Sequence, residues 1–181
     1  ACAGLGSISD QRREEGFVRL CPGDLHLRNI CLFDDKPMLF DAIEFNDRLA
    51  ISDILYDLAF LLMDLLHREL NAHANLVLNR YLERTGDDDG LALLKLYLSV
   101  RAGIRAFPAI PAAANQSDTQ VAGRVRKGAK EYLALSTSFL QQTKPVLVGV
   151  GGFSGSGKST LALQLASRLP GPIGAVVLRS D

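Results

Sequence analysis

The chain has 181 residues and a mass of 19.6 kDa, with 48% hydrophobic and 22% charged residues, 16 Gly and 7 Pro. That is the make-up of a folded globular protein and excludes a disordered or collagen-like fibrous one. Twenty Lys and Arg balance twenty Asp and Glu, so no overall field draws the chain to nucleic acid or to an anionic membrane, and a polyanion partner is disfavoured. The longest apolar stretch, Ile54 to Leu66, is interrupted by Asp57 and Asp64, well short of the roughly 20 residues a membrane span requires. The three cysteines, Cys2, Cys21 and Cys31, match no zinc-knuckle or CxxC spacing, and nothing at the N-terminus reads as a signal peptide, so a reducing, cytoplasmic setting is expected.

In chain order, the charged stretch Gln11 to Glu15 followed by Gly16 reads as a helix end, and Phe17 to Leu20 as a short strand entering a loop, Cys21 to Asn29. Ile30 to Phe33 and Met38 to Phe40 are two apolar runs flanking Asp34-Asp35-Lys36-Pro37, the pattern of a β-hairpin. With the reversal near Asp35, Asn29 lies as far before the turn as Asp41 lies after it, so antiparallel pairing brings both to one end of the hairpin. Leu55, Leu58, Leu62, Leu65 and Leu66 recur at three- and four-residue steps and predict an amphipathic helix with Ser52 or Asp53 as N-cap. Further helices are predicted from Asn75 to Arg84, from Leu91 to Phe107 before Pro108, and from Thr119 to Gln142, with residues 108–118 as a loop. Met38 and Met63 read as core filler, and Arg124, Arg126, Lys127 and Lys130 as a solvated basic face.

After Thr143-Lys144-Pro145 the character changes, which predicts two domains, 1–143 and 144–181. Val146 to Val150 is a β-branched run of the kind found in buried parallel strands, Lys158 to Leu169 reads as a helix, and Gly174 to Leu178 as a second strand. Strand, turn, helix, strand is the opening βαβ unit of an α/β domain.

Between that strand and helix stands Gly152-Phe153-Ser154-Gly155-Ser156-Gly157-Lys158-Ser159, which fits GxxxxGK followed by Ser or Thr in the context its chemistry demands. Glycines let the backbone turn N–H groups of Gly152, Ser154, Gly155, Ser156 and Gly157 toward a phosphate, and the helix start at Lys158, Ser159 and Thr160 adds its positive end. Lys158 reaches the outer phosphates and Ser159 holds Mg²⁺. The expected ligands are therefore a nucleoside triphosphate and Mg²⁺. Asp181, after the second run, stands at the carboxyl edge where ligands of open α/β sheets bind.

In the first part, Asp24-Leu25-His26-Leu27-Arg28-Asn29 has the D-x-x-x-x-N spacing of a kinase catalytic loop. The hairpin adds Asp41. Oxygen ligands from Asn29 and Asp41 near Asp24 suit a Mg²⁺ ion that offsets phosphate charge.

Two resemblances follow from these residues. Pro22 to Ile30, Phe40-Asp41-Ala42-Ile43-Glu44, Ser52-Asp53 and Tyr56-Asp57-Leu58-Ala59 resemble the carboxy-terminal lobe of the aminoglycoside phosphotransferase and choline kinase family, over about residues 12 to 140. The resemblance implies a mostly helical, protein-kinase-like lobe with a β-hairpin, Asp24 as catalytic Asp, Asn29 and Asp41 as metal ligands, and His26 and Asp57 buttressing the loop. Pro22 stands where that family's H-G-D motif begins with His. Gly151 to Thr160, with a run ending in Arg179-Ser180-Asp181, resembles the small-molecule P-loop kinases, which makes Asp181 a candidate general base.

The order of the two parts resembles bacterial bifunctional aminoglycoside phosphotransferase/ATP-binding proteins. The chain is expected to hold the junction of two such parts, without the nucleotide-clamping lobe of the first or the later strands of the second. The implied activity is transfer of the ATP γ-phosphate to a hydroxyl of a small molecule. Two alternatives stand beside it: a nucleotide-hydrolysing switch of the AAA type, and a degenerate kinase-like lobe that binds or scaffolds.

Overall fold

The computed structural model describes residues 3–42, 50–108 and 118–179. Helix α1, Ala3–Glu14, is followed by strand β1, Val18–Leu20; a single 3₁₀ turn, Leu27–Asn29, leads into β2, Ile30–Phe33, which pairs with β3, Lys36–Leu39. β4, Ile51–Asp53, runs straight into α2, Ile54–His67, and then come α3, Asn71–Thr85, α4, Leu91–Ala106, α5, Thr119–Phe139, and α6, Lys158–Ala166. The chain is of mixed α/β class, its helices accompanied, among the described residues, by two small antiparallel sheets, β1 with β4 and β2 with β3.

The hairpin differs from expectation by one residue. Asp34 and Asp35 both take positive φ, 48° and 58°, the left-handed pair of a two-residue turn whose twist matches that of the strands. This tight turn lets Lys36 and Pro37 join β3, so Ile30 pairs with Leu39 and Phe33 with Lys36. Phe40 therefore comes opposite Asn29, donating its N–H to the Asn29 carbonyl at 3.0 Å. Asp41 falls one residue past the paired position. Pro37 fits because a two-stranded ribbon has only edge strands.

The sheet of β1 and β4, with Val18 opposite Asp53 and Leu20 opposite Ile51, brings α1 to the head of α2. Asp53 caps α2, its carboxylate accepting the Leu55 N–H at 2.8 Å and satisfying one of the helix's orphan donors. α3 begins at Asn71, four residues ahead of the predicted Asn75, and stops at Gly86, whose φ of +65° a side chain would disfavour. α5 is capped by Asp118 and ends at Phe139 rather than Gln142, after which Lys95 of α4 holds the Gln141 carbonyl and the Thr143 hydroxyl at 3.2 and 3.3 Å.

α4 packs against both α2 and α5. The core they share contains Leu55, Leu62, Met63, Leu94, Leu98 and Phe139, and α3 adds Leu78 and Leu82. Met63 is fully buried, as expected, whereas Met38 is 48% exposed on the hairpin, because a two-stranded ribbon leaves its faces uncovered. Arg124, Arg126, Lys127 and Lys130 lie on the exposed side of α5.

The predicted strands Val146 to Val150 and Gly174 to Leu178 carry no strand pairing among the described residues. A strand exists only through a neighbour that takes its backbone hydrogen bonds, and these two runs face each other across an open cleft. Leu147 is consequently 95% exposed. The second run is nevertheless anchored: Ile173, the residue before it, is 3% exposed and belongs to the same core cluster as α2, α3 and α4, and Val176 of the run packs against that cluster.

Candidate functional site

Two clusters of polar residues have the makings of a site. In the first, the loop between β1 and β2 is held from beneath by charges on α2 and α4. Asp57, 3% exposed, lies 3.3 Å from the Arg101 guanidinium, and the Arg101 charge and the main-chain N–H groups of Gly23 and Leu25 favour its ionised form. Arg101 in turn donates to the Gly23 carbonyl at 3.2 Å and the Tyr56 carbonyl at 3.1 Å, and its guanidinium stacks on Tyr56. Asp64, one further turn pair along α2, accepts the Leu27 N–H at 3.1 Å. Burial pushes the Asp57 carboxyl above its ordinary value against the pull of Arg101, and burial likewise holds Arg101 below its own. Each ion is kept by the other and by loop backbone, since a buried charge without partners costs several kcal/mol. With Pro22 offering no polar side chain, the main-chain tie at Gly23 comes from Arg101.

On this support the expected residues converge. The Asn29 amide, 7% exposed, donates to the Asp24 carboxylate at 3.2 Å, to the Asp24 carbonyl at 3.1 Å and to the Asp41 carbonyl at 3.4 Å. Asp24, Asn29 and Asp41 are thus brought together, although Asp41 reaches Asn29 through its main chain, a consequence of the one-residue hairpin shift. Asp41 has φ 62°, a left-handed backbone that a non-glycine residue adopts at a cost. His26 is 5% exposed, with Nε2 3.3 Å from the Asp24 carboxylate, Nδ1 accepting the Arg28 N–H at 3.2 Å, and its ring edge-on to Phe60. It fixes the Asp24 side chain.

As donors, the Asp24 carboxylate, the Asn29 amide oxygen and the oxygens of Asp41 are of the hard kind that Mg²⁺ takes. Among the described residues, no group of three or more His, Cys, Asp or Glu side chains is disposed to hold a metal. A cation here would rest on two carboxylates and an amide.

The second cluster is the glycine loop. Gly152, Gly155 and Gly157 have φ of 156°, 75° and 83°, conformations open to glycine and strained for other residues. At Gly152 a Cβ would stand 2.9 Å from the Ser156 hydroxyl. α6 starts directly after Gly157 with no side chain capping it, so the N–H groups of its first turn are free of side-chain partners, as an anion-binding helix start requires. The Lys158 ammonium donates to the Phe153 carbonyl at 2.7 Å, folded back over its own loop. Ser154, Gly155, Ser156 and Thr160 are exposed. Lys158 and Ser159 line a cleft of about 240 Å³ whose walls are the two apolar runs and whose rim includes Arg179. Asp181 and Glu44 lie outside the described residues.

Residues that pattern reading missed share one signal, a polar side chain on an apolar helix face. Arg101 is one. The others are Asn75 and Asn79 of α3, 2% and 6% exposed. Asn75 donates to the Ile173 and Ala175 carbonyls at 2.7 and 2.9 Å, and Asn79 donates to Ala175 at 3.2 Å while accepting the Val177 N–H at 2.7 Å. No described helix is long and apolar enough to cross a membrane.

No protein-family model matches the chain. No solved structure matches it either. It is similar to uncharacterized proteins of Mycobacterium bovis and of two strains of Mycobacterium tuberculosis, CDC 1551 and H37Rv, each 34% identical over 170 residues. The aligned region covers 94% of this chain and 32% of each relative, so the chain spans about a third of the length of the curated relatives it matches.

Proposed function

We propose that the protein binds ATP at the Gly152 to Ser159 loop and transfers its γ-phosphate to a hydroxyl of a small molecule. The observation that carries the reading is the conjunction at α6: three left-handed glycines, a helix start without a side-chain cap, and Lys158 and Ser159 opening on one cleft beside Arg179. Loop N–H groups and the helix start would bind the β- and γ-phosphates, and Lys158 would leave the Phe153 carbonyl for a phosphate oxygen. The Ser159 hydroxyl would hold Mg²⁺, which would supply neutralisation of the phosphate charge. The acceptor oxygen bonds to the γ-phosphorus as the bond to the bridging oxygen breaks, ADP carries the electron pair away, and Asp181 takes the acceptor's proton.

Asp24 belongs to the same proposal in the first part of the chain, as a carboxylate held by His26 and Asn29 where it can orient or deprotonate a hydroxyl, with Asn29 and Asp41 as the residues that would hold Mg²⁺. The full chain titrated calorimetrically with ATP and Mg²⁺ tests the central claim. Lys158→Ala removes charge-assisted hydrogen bonds worth about 1.5–3 kcal/mol and is expected to weaken binding by roughly ten- to a hundred-fold. Equal affinity for both proteins would refute the assignment, and ATP binding without a phosphorylated product across sugars, antibiotics and nucleosides would refute the transfer.

A further inference from the structure

Asn75, Asn79 and Glu83 stand four residues apart on α3, and their partners stand two residues apart on the segment opposite. Asn75 takes the carbonyls of Ile173 and Ala175, Asn79 the Ala175 carbonyl and the Val177 N–H, and Glu83 the Arg179 guanidinium at 3.3 Å. The match has a geometric cause. Four helical residues rise about 6.0 Å and two extended residues about 6.6 Å, so one helix turn keeps step with each strand repeat over three successive contacts. Asparagine is a poor helix former, and burying its amide is costly unless hydrogen-bonded. Two such residues buried on one face therefore mark a surface built to receive backbone. The face does what a neighbouring strand would do for an exposed edge.

We infer that the Asn75, Asn79 and Glu83 face of α3 is a docking surface through which the helical part of the chain positions Arg179 at the rim of the Lys158 cleft, so that anion binding at the glycine loop depends on the kinase-like part. This rests on the nucleotide reading above for the identity of the anion. Arg179 and Lys158 then form a pair of cations on one cleft, one carried by α6 and the other delivered by α3. The helical part thereby has a role that does not require catalysis at Asp24.

The test compares the full chain with Asn79→Ala and Arg179→Ala. Alanine favours the helix at position 79, so α3 is kept while the side-chain bonds are lost. Hydrogen exchange at the Val177 amide is expected to accelerate roughly five- to ten-fold in Asn79→Ala, the change one neutral hydrogen bond corresponds to, with the amides of α2 unchanged. ATP affinity, read calorimetrically with Mg²⁺, is expected to fall by about three-fold in both variants, within the range of one screened ion contact. Unchanged exchange at Val177, or faster exchange shared equally by α2, would overturn the docking surface. Local loosening at Val177 with ATP affinity intact would overturn the positioning role. A failure of the nucleotide reading looks different: Lys158→Ala would then leave ATP affinity unchanged whatever the exchange shows.

Discussion

Arg12 of α1 is 1% exposed and holds two carboxylates at once. Its Nε and Nη2 reach Asp53 at 2.6 and 2.8 Å, its Nη2 reaches Asp87 at 2.9 Å, and its Nη1 also bonds Asp87. Tyr97 donates to Asp53 at 3.1 Å, Tyr81 donates to Asp87, and the guanidinium lies over the Phe17 ring. Burial works against the Arg12 charge, but the two carboxylates outweigh it and raise its affinity for the proton; Asp53, also opposed by burial, is held below its ordinary value by Arg12 and the Leu55 N–H. Arg12→Met keeps a stem of similar length and leaves two buried carboxylates without a cation. Breaking a buried pair in this way costs about 3–5 kcal/mol, which for a chain of this size lowers Tm by roughly 6–20 °C.

Thermal and urea unfolding of the full chain, followed by circular dichroism, measure it. The deficit should also depend on pH with a definite sign. In the native protein Asp53 contributes stability present above its unfolded value of 3.8 and lost as pH falls through its lower folded value. Without Arg12, burial of the Asp53 carboxylate is no longer offset and favours its protonated form, so the gap between variant and parent should narrow on acidification. A loss under about 1 kcal/mol, the worth of a surface ion pair, or a gap that widens toward acid, would refute the reasoning.

Other outcomes follow from single atoms. Gly174 has φ +82°, and a Cβ there would stand 2.3 Å from the Ala166 carbonyl oxygen, so Gly174→Ala must move the backbone of the segment off the end of α6. A cost of about 1–3 kcal/mol is expected in urea unfolding, together with faster exchange at Val177, and wild-type stability would contradict it. Asp24→Ala should lower phosphoryl transfer by about 10²–10⁴ with ATP affinity at the glycine loop unchanged; an unaltered rate would leave the helical part its positioning role alone. Asp57→Asn leaves Arg101 buried without its counter-ion and should destabilise by about 3 kcal/mol or more, an expectation that a neutral result in thermal unfolding would end.

Much of this was legible because it is local. The leucine spacing of α2 and its Asp53 cap, the arrest of α3 at Gly86 and the start of α6 after Gly157 each follow from residues within a turn of one another. The glycine loop is equally local, since its backbone conformation, its lysine and its hydroxyl belong to eight consecutive residues. The hairpin was legible as a hairpin, but its register depended on two aspartates both adopting positive φ, and that single residue decided whether Asp41 meets Asn29 by side chain or by main chain.

What the zero net charge and the motifs could not reveal is where buried charge and amide groups find partners. Arg12 meets residues 41 and 75 positions away, Arg101 meets Gly23 across 78, and Asn79 meets Val177 across 98. Such pairings carry no periodic signature, because each side chain is chosen for a partner that only the packed helices bring near. The amino-acid sequence by itself determined which segments are helical, the stops and starts marked by Gly86 and Gly157, and the glycine loop, but not the start of α3 at Asn71 or the end of α5 at Phe139. Tertiary structure alone decided that β1 closes on β4, that the loop carrying Asp24 is tied by Arg101, and that α3 rather than another strand holds the run leading to Arg179. Hydrogen bonds within a turn are set by neighbours along the chain, whereas those that fasten one element to another exist only once the core has formed.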